Sequence, residues 1–138
     1  MYRKILVPVD GSDHSMRALK EAIGLAKMTD GKITLIHVKR REPPMNLTSS
    51  SKDNDMSANN GKSVLEAGKK IVEAEGISVD TILAEGKVAE EIVRTAKEGK
   101  FDLVIIGARG LSRVEEIMLG SVSCGVAEKA PCPVIVTK

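Results

Sequence analysis

Short runs of apolar residues alternate along this chain with segments whose apolar positions recur at helical spacing. Strands that alternate with helices favour β-α-β units, so the sequence predicts an α/β fold: a single open, doubly wound, parallel sheet with helices on both faces. The third run is shorter and partly polar, as expected of a strand at the edge of a sheet. The periodicity does not give the strand order. The runs that predict strands are Lys4–Val9, Ile33–Val38, Val79–Leu83, Leu103–Ile106 and Val134–Val136.

The segments between these runs predict four helices. The first follows Ser12, a residue type that caps helices, and the fourth ends before Pro131. The stretch from Arg40 to Gly61 is rich in Ser, Asn, Asp and Lys, so a flexible loop is predicted about residues 40–61. The apolar positions of the helices are Met16, Leu19, Ile23 and Ala26; Val64, Gly68, Ile71 and Val72; Val88, Ile92, Val93 and Ala96; and Val122, Val126 and Ala127.

Composition limits the class of protein. A chain of 138 residues with 42% hydrophobic and 29% charged residues is typical of one globular domain, here residues 1–138. No run is long enough to cross a bilayer, and the run from Ile5 is too short for a signal peptide, so no membrane association and a cytoplasmic location are expected. A net charge of +2 and 1% aromatic residues argue against nucleic acid as a partner.

Cys124 and Cys132 lack metal-ligand or disulfide spacing and are interpreted as small core or near-surface thiols.

The most informative segment is the glycine-rich loop from Gly107 to Ser121. Gly107 ends an apolar strand and Gly120 opens a helix, so the loop leaves the carboxyl end of the sheet, where open α/β sheets bind ligands. Glycines let the backbone approach a ligand, and free amides at a helix start attract phosphate. Ser121 and Ser123 are candidate hydroxyl donors, and Arg109 is either a phosphate ligand or a structural or exposed residue. Steric needs at a strand–helix turn explain the same glycines, so both interpretations stay open.

Two standard nucleotide fingerprints are absent from the sequence. No GxGxxG follows a strand and no GxxxxGK[ST] occurs, which argues against a Rossmann dehydrogenase and a P-loop ATPase. Four motifs in order nevertheless resemble the universal stress protein family, and together they cover the chain from end to end. The spacing of Gly107, two residues, Gly110, nine residues and Gly120-Ser121 looks like the ATP-binding signature of that family. The other three motifs are the first strand at residues 5–12, Ile36-His37-Val38, and the closing segment at residues 130–136.

The resemblance implies five parallel strands in the order 3-2-1-4-5 and a nucleotide lying across strands 1 and 4. The implied ligand is ATP, with AMP as an open alternative, accompanied by Mg²⁺ or Mn²⁺. A homodimer through the last strand, Val134–Val136, is also implied, and an edge strand with unpaired backbone groups invites such pairing. Carried over residue by residue, Pro8, Val9 and Asp10 line the adenine and ribose side, Val38 contacts adenine through backbone and side chain, Gly107 lies by the ribose, and Gly110, Gly120, Ser121, Val122 and Ser123 hold the phosphates.

Three polar residues near these strands have competing interpretations. Asp10 is placed to accept a hydrogen bond from a ribose hydroxyl or an adenine amine, but it is also typical of a turn in Asp10-Gly11-Ser12. His37 is interpreted as a strand-end histidine rather than a ligand. His14, in the first helix, is predicted to be solvated.

The sequence offers a phosphate cradle but no clear catalytic base, so the first hypothesis is a binding module. ATP would then act on a conformational or partner-binding equilibrium, as a nucleotide-dependent switch in a stress response. One alternative is a slow ATPase or nucleotidyl-group enzyme, whose product formation would disappear on Arg109→Ala or Ser121→Ala. Another is a nucleotide-free dimeric interaction protein, which would not bind ATP. The fold alone does not choose among these functions.

Overall fold

The computed structural model describes residues 2–40, 51–108 and 120–138, apart from the side chains of residues 51–60. The described residues form one parallel sheet in the order β3-β2-β1-β4-β5, which confirms the predicted fold class and strand order. The third strand lies at an edge, as its polar composition predicts. The elements are β1 (Lys4–Pro8), α1 (Asp13–Thr29), β2 (Lys32–Arg40), α2 (Ser51–Ala74), β3 (Val79–Gly86), α3 (Val88–Glu98), β4 (Leu103–Gly107), α4 (Ser121–Lys129) and β5 (Val134–Thr137).

Two apolar cores lie on opposite faces of the sheet because successive side chains of a strand point to opposite sides. Ile5 and Val7 of β1 pack with residues of α1 and α2 on one face. Leu6, the residue between them, packs with residues of α3 and α4 on the other face. All three side chains are fully buried. A strand covered on both faces needs apolar residues at every position, which explains the continuous runs in the sequence.

The first helix begins as the sequence predicts. Ser12 is its N-cap, and the Ser12 hydroxyl accepts a hydrogen bond from the Ser15 amide at 3.2 Å. This bond satisfies one of the amides that a helix start leaves without an intrahelical partner. Because Ser12 follows β1 after only a few residues, the cap also fixes where α1 begins relative to the carboxyl end of the sheet.

The segment predicted as a loop about residues 40–61 differs from the structure at both ends. Arg40 is the last residue of β2, and residues 51–61 are helical as the first part of α2; residues 41–50 lie outside the described residues. Polar composition shows that a segment buries little surface, but it does not exclude a helix. Leu65 and Val72 anchor the later part of α2 in the core, and extending an established helix by one residue costs far less than nucleating it.

In the described part of the chain, no helix combines the length and the apolar character needed to cross a bilayer.

Candidate functional site

The carboxyl ends of β1, β2 and β4 lie side by side at one edge of the sheet. β1 is paired with β2 on one side and with β4 on the other, so the chain order reverses between β1 and β4. Open α/β sheets bind ligands at such a switch point. The predicted site residues at the ends of these three strands are Pro8, Val9, Asp10, Val38 and Gly107.

The turn after β1 is held by short-range hydrogen bonds. Oδ1 of Asp10 accepts from the Ser12 amide at 2.9 Å, and the Asp10 amide donates to Oγ of Ser15 at 3.4 Å. Asp10 therefore has the turn role that its sequence context predicts. Oδ2 of Asp10 has no partner among the described residues, so one carboxylate oxygen remains able to accept from a ligand.

The backbone of Ala108 fixes the start of α4 beside the end of β4. The carbonyl of Ala108 accepts from the Gly120 amide at 2.8 Å and from the Ser123 hydroxyl at 2.7 Å. Its amide donates to the carbonyl of Thr137, at the end of β5, at 2.7 Å. The backbone of one residue, through its amide and its carbonyl, thus joins the ends of β4 and β5 to the first turn of α4. No feature of the sequence singled out Ala108, because the bonds use only its backbone.

Ser123 is 3% exposed and its hydroxyl points inward, toward the Ala108 and Gly120 carbonyls. A hydroxyl has one proton to donate, so these carbonyls use it. A contact from Ser123 to a phosphate would therefore come from its amide and not from its hydroxyl.

The first turn of α4 presents amides toward this edge of the sheet. The first bond of the helical pattern runs from the Cys124 amide to the Gly120 carbonyl at 3.0 Å, so Ser121, Val122 and Ser123 have no carbonyl four residues back within the helix. The helix has no acidic residue in its first turn, and the Ser121 side chain is exposed. Free amides and the positive end of the helix dipole make this turn a suitable anion site.

Gly107 has a packing role that does not depend on a ligand. A Cβ atom there would lie 2.7 Å from the carbonyl carbon of His14 and 2.8 Å from its Cβ and carbonyl oxygen. Contacts this short involve backbone atoms that cannot rotate away. The steric interpretation of this glycine therefore has direct support.

His14 is not solvated, contrary to the prediction. The residue is half-buried, and its Nδ1 is buried without a hydrogen-bond partner in the described part of the chain. The reason is the close approach of α1 to β4 at Gly107, which places the first turn of α1 against the sheet. The sequence position, in the first turn of a helix of mixed composition, gave no sign of this contact.

Two predicted site residues, Arg109 and Gly110, lie outside the described residues, which resume at Gly120. The structure thus places both ends of the glycine-rich segment, at Gly107 and at Gly120-Ser121, next to each other. The prediction for Arg109 and Gly110 stays a prediction.

His37 lies in β2, as its interpretation as a strand-end histidine requires, and it bonds to the neighbouring strand end. Its Nδ1 lies 2.8 Å from the carbonyl oxygen of Val9. The bond crosses from β2 to the residue that follows β1, so it acts within the predicted adenine side of the site. Sequence reasoning missed it, although the position of His37 opposite the end of β1 follows from the register.

The cysteines lie near the surface, as interpreted from the sequence. Cys124 is exposed and Cys132 is half-buried. Burial raises the pKa of the Cys132 thiol, and the nearby charge of Asp102 raises it further. A raised pKa leaves little of the nucleophilic thiolate at neutral pH. No cluster of three His, Cys, Asp or Glu side chains suited to a metal ion occurs among the described residues.

The fold and this edge define an open α/β protein with a helix start suited to anions at the switch point between β1 and β4. The model of the universal stress protein family matches residues 1–138. The chain is 37% identical to a universal stress protein of Methanocaldococcus jannaschii, over 100% of this chain and 83% of that protein. It is similar to the structure of a universal stress protein of Lactobacillus plantarum, with a TM-score of 0.88 and 28% identity over 99% of this chain and 98% of that one. The chain belongs to the universal stress protein family.

Two further solved structures of this family carry a nucleotide. One is a universal stress protein in complex with cAMP, with a TM-score of 0.77 and 26% identity over 99% of this chain and 97% of that one. The other is the universal stress protein of Archaeoglobus fulgidus in complex with dAMP, with a TM-score of 0.76 and 26% identity over 99% and 98% of the two chains.

Proposed function

We propose that this protein is a cytoplasmic ATP-binding module that acts as a nucleotide-dependent switch in a stress response. The observation that carries the proposal is the first turn of α4, whose amides face the carboxyl edge where β1 and β4 end. Structural neighbours from the same family that hold cAMP and dAMP add support for an adenine nucleotide as the ligand.

The nucleotide would lie across the ends of β1, β2 and β4. Its base and ribose would lie at the ends of β1 and β2, where Asp10 keeps one carboxylate oxygen unpartnered among the described residues. Its phosphates would lie at the start of α4, where three amides lack intrahelical partners. Several amides suit several phosphate groups, which favours ATP over AMP. The assigned contacts are Pro8, Val9, Asp10 and Val38 for adenosine, Gly107 for the ribose, and Arg109, Gly110, Gly120, Ser121, Val122 and Ser123 for the phosphates.

A divalent ion, Mg²⁺ or Mn²⁺, would accompany the phosphates. The described residues supply no carboxylate cluster for it, which fits an ion held mainly by phosphate oxygens and water, as Mg²⁺ commonly is. The Ser121 hydroxyl, exposed at the start of α4, is the protein oxygen we assign to it. The ion would neutralise charge on the phosphates.

The switch would act through the backbone of Ala108. A phosphate bound at α4 pulls on a turn whose Gly120 amide and Ser123 hydroxyl both bond to the Ala108 carbonyl. The Ala108 amide in turn bonds to Thr137 of β5. Nucleotide binding would therefore bias the position of the edge strand, provided that the bound and free states differ in these bonds.

The edge strand β5 would be the surface that forms a homodimer. It is the last strand of the sheet, and Ile135 is 42% exposed. The carbonyls of Pro133 and Thr137 accept bonds from β4, so the backbone groups of Val134 and Val136 point to the open edge. Two copies pairing along this edge would form a symmetric contact.

We expect Val136→Pro to dissociate the dimer while leaving the monomer folded. Proline removes the outward amide of Val136, and proline is tolerated in edge strands where the lost amide faces solvent. Sedimentation velocity should show a dimer for the parent and a monomer for the variant at micromolar concentration. Val136→Ala keeps the amide and serves as the control, so it should remain a dimer. A folded Val136→Pro variant that stays dimeric would show that the dimer interface does not lie on β5.

Thermal unfolding with ATP and with adenosine tests the nucleotide site itself. In excess Mg²⁺, ATP at 100 times its dissociation constant should stabilise the protein by about 2.7 kcal/mol. Adenosine at the same concentration should stabilise it much less, because it lacks the groups that bind α4. Equal stabilisation by the two ligands would show that the phosphates do not lie at α4, and no stabilisation by either would argue against a nucleotide site.

A further inference from the structure

We propose that His37 is a positioning residue of the nucleotide site. By bonding the Val9 carbonyl, His37 keeps the backbone amide of Val38 free to bind the base, and it thereby sets the preference for adenine. This inference rests on the proposed nucleotide site, and it assigns a role there to a side chain that need not touch the ligand.

The β1–β2 ladder stops where β1 ends. The Val9 amide donates to the Ile36 carbonyl at 2.9 Å, and the next rung of a parallel ladder would run from the Val38 amide to the Val9 carbonyl. The register ends at Pro8 opposite Ile36, and among the described residues that next rung is not formed. The Val9 carbonyl instead bonds Nδ1 of His37 at 2.8 Å. A carbonyl oxygen only accepts, so Nδ1 is the donor.

The missing rung leaves the backbone amide of Val38 without a partner in the segment at the end of β1. Val38 lies two residues after Ile36, so its amide and carbonyl point to the same side of β2, toward the gap that opens where β1 ends. Its side chain is 8% exposed and packs in the core between the sheet and α3 and α4, so the backbone position is fixed. A donor and an acceptor next to each other match adenine, which presents the N1 acceptor beside the N6 amino donor. Guanine presents the opposite order, a donor at N1 beside the O6 acceptor, and is disfavoured.

The imidazole of His37 is held in place by packing against α2. Helix α2 crosses the ring at Gly61, where a Cβ atom would lie 2.7 Å from Cδ2 and 3.2 Å from Nε2 of His37. The Leu83 side chain of β3 approaches the same point to 3.0 Å. Helix α2 therefore packs directly against the ring, and this packing keeps Nδ1 directed at Val9.

The test compares His37→Phe with His37→Asn in the full chain. Phenylalanine keeps a flat ring but has no donor, so the Val9 carbonyl loses its bond from His37. The Val38 amide would then bond that carbonyl and would no longer be available to the base. We expect its ATP affinity to fall about tenfold, the equivalent of one hydrogen bond, and its preference for ATP over GTP to fall by a similar factor. Asparagine places an amide donor near the position of Nδ1, so His37→Asn should keep both values within about threefold of the parent. Titration calorimetry with ATP and with GTP in excess Mg²⁺ measures both.

A second pair of variants approaches the same ring from α2, in case His37→Phe does not fold. Gly61→Ala should displace the ring and lower the ATP preference, while Leu83→Ala removes packing at the same point without a clash and should leave the preference unchanged. A parent that binds ATP, with an ATP preference unaltered in folded His37→Phe or Gly61→Ala, would overturn the role of His37 alone. A parent that binds neither nucleotide would overturn the proposed function, and this inference with it.

Discussion

Replacing Gly107 by alanine is expected to lower the free energy of unfolding by about 2–3 kcal/mol, the upper part of the range for overpacking a well-filled interior. The added Cβ would lie 2.7–2.8 Å from three atoms of His14, two of them backbone atoms. Relief requires the first turn of α1 to move away from β4. The Ser12 cap and the bonds between Asp10, Ser12 and Ser15 hold that turn in place. Moving it would break these hydrogen bonds, so relief of the clash costs free energy.

Urea unfolding measures the effect, and a melting temperature lower by about 10 °C should accompany it. Gly24→Ala is the matched control, because Gly24 lies in α1, is exposed, and a Cβ there would meet nothing within 4 Å. Alanine in a helix is favoured over glycine, so this control should gain about 0.5–1 kcal/mol. Equal stability of the two variants would mean that α1 does not pack on β4 as closely as described.

Gly120→Val is expected to abolish ATP binding and to lower the free energy of unfolding by only about 1 kcal/mol, the usual cost of a poor N-cap residue. The backbone of Gly120, with φ −65° and ψ 158°, is in a region that any residue adopts, so glycine is not needed there for the chain conformation. Its amide bonds the Ala108 carbonyl whichever side chain is present. A valine side chain at the N-cap of α4 would instead fill space beside the three amides assigned to the phosphates, and its branched Cβ leaves it little freedom to turn away.

Gly24→Val is the control for this variant, since it makes the same substitution in open space on α1. It should bind ATP as the parent does. A Gly120→Val variant that is folded and binds ATP with the affinity of the parent would show that the phosphates do not bind at the start of α4.

The apolar runs were sufficient to predict the fold, because a strand buried on both faces shows its burial at every position. Ile5, Leu6 and Val7 illustrate this, since their side chains enter two different cores. The strand order came from the resemblance, because pairing between distant strands leaves no periodic signal. The polar composition of residues 51–61 indicates low burial, and low burial does not exclude a helix. These residues are helical because they extend α2, whose later part is anchored in the core by Leu65 and Val72.

The sequence predicts a site residue only where its side chain, or the glycine at its position, forms part of a recognisable motif. The spacing that ends at Gly120-Ser121 led to the α4 helix start, and Asp10 was placed at the turn that it occupies. Backbone groups form the rest of the site: the amide and carbonyl of Ala108 join β4, β5 and α4, and any residue type except proline would present the same two groups. The sequence indicates only that His14 lies in a helix and His37 near a strand end, and the register and the packing of α1 and α2 are needed to show what they contact.

Calorimetric titration of the full chain with ATP in excess Mg²⁺ measures whether the protein binds a nucleotide at the start of α4. We expect saturable binding of one nucleotide per chain in the parent and in Gly24→Val, with loss of the heat signal in Gly120→Val. Absence of binding by the folded parent at millimolar ATP would contradict it. The chain would then be an α/β interaction protein whose glycines serve packing alone, as Gly107 does against His14.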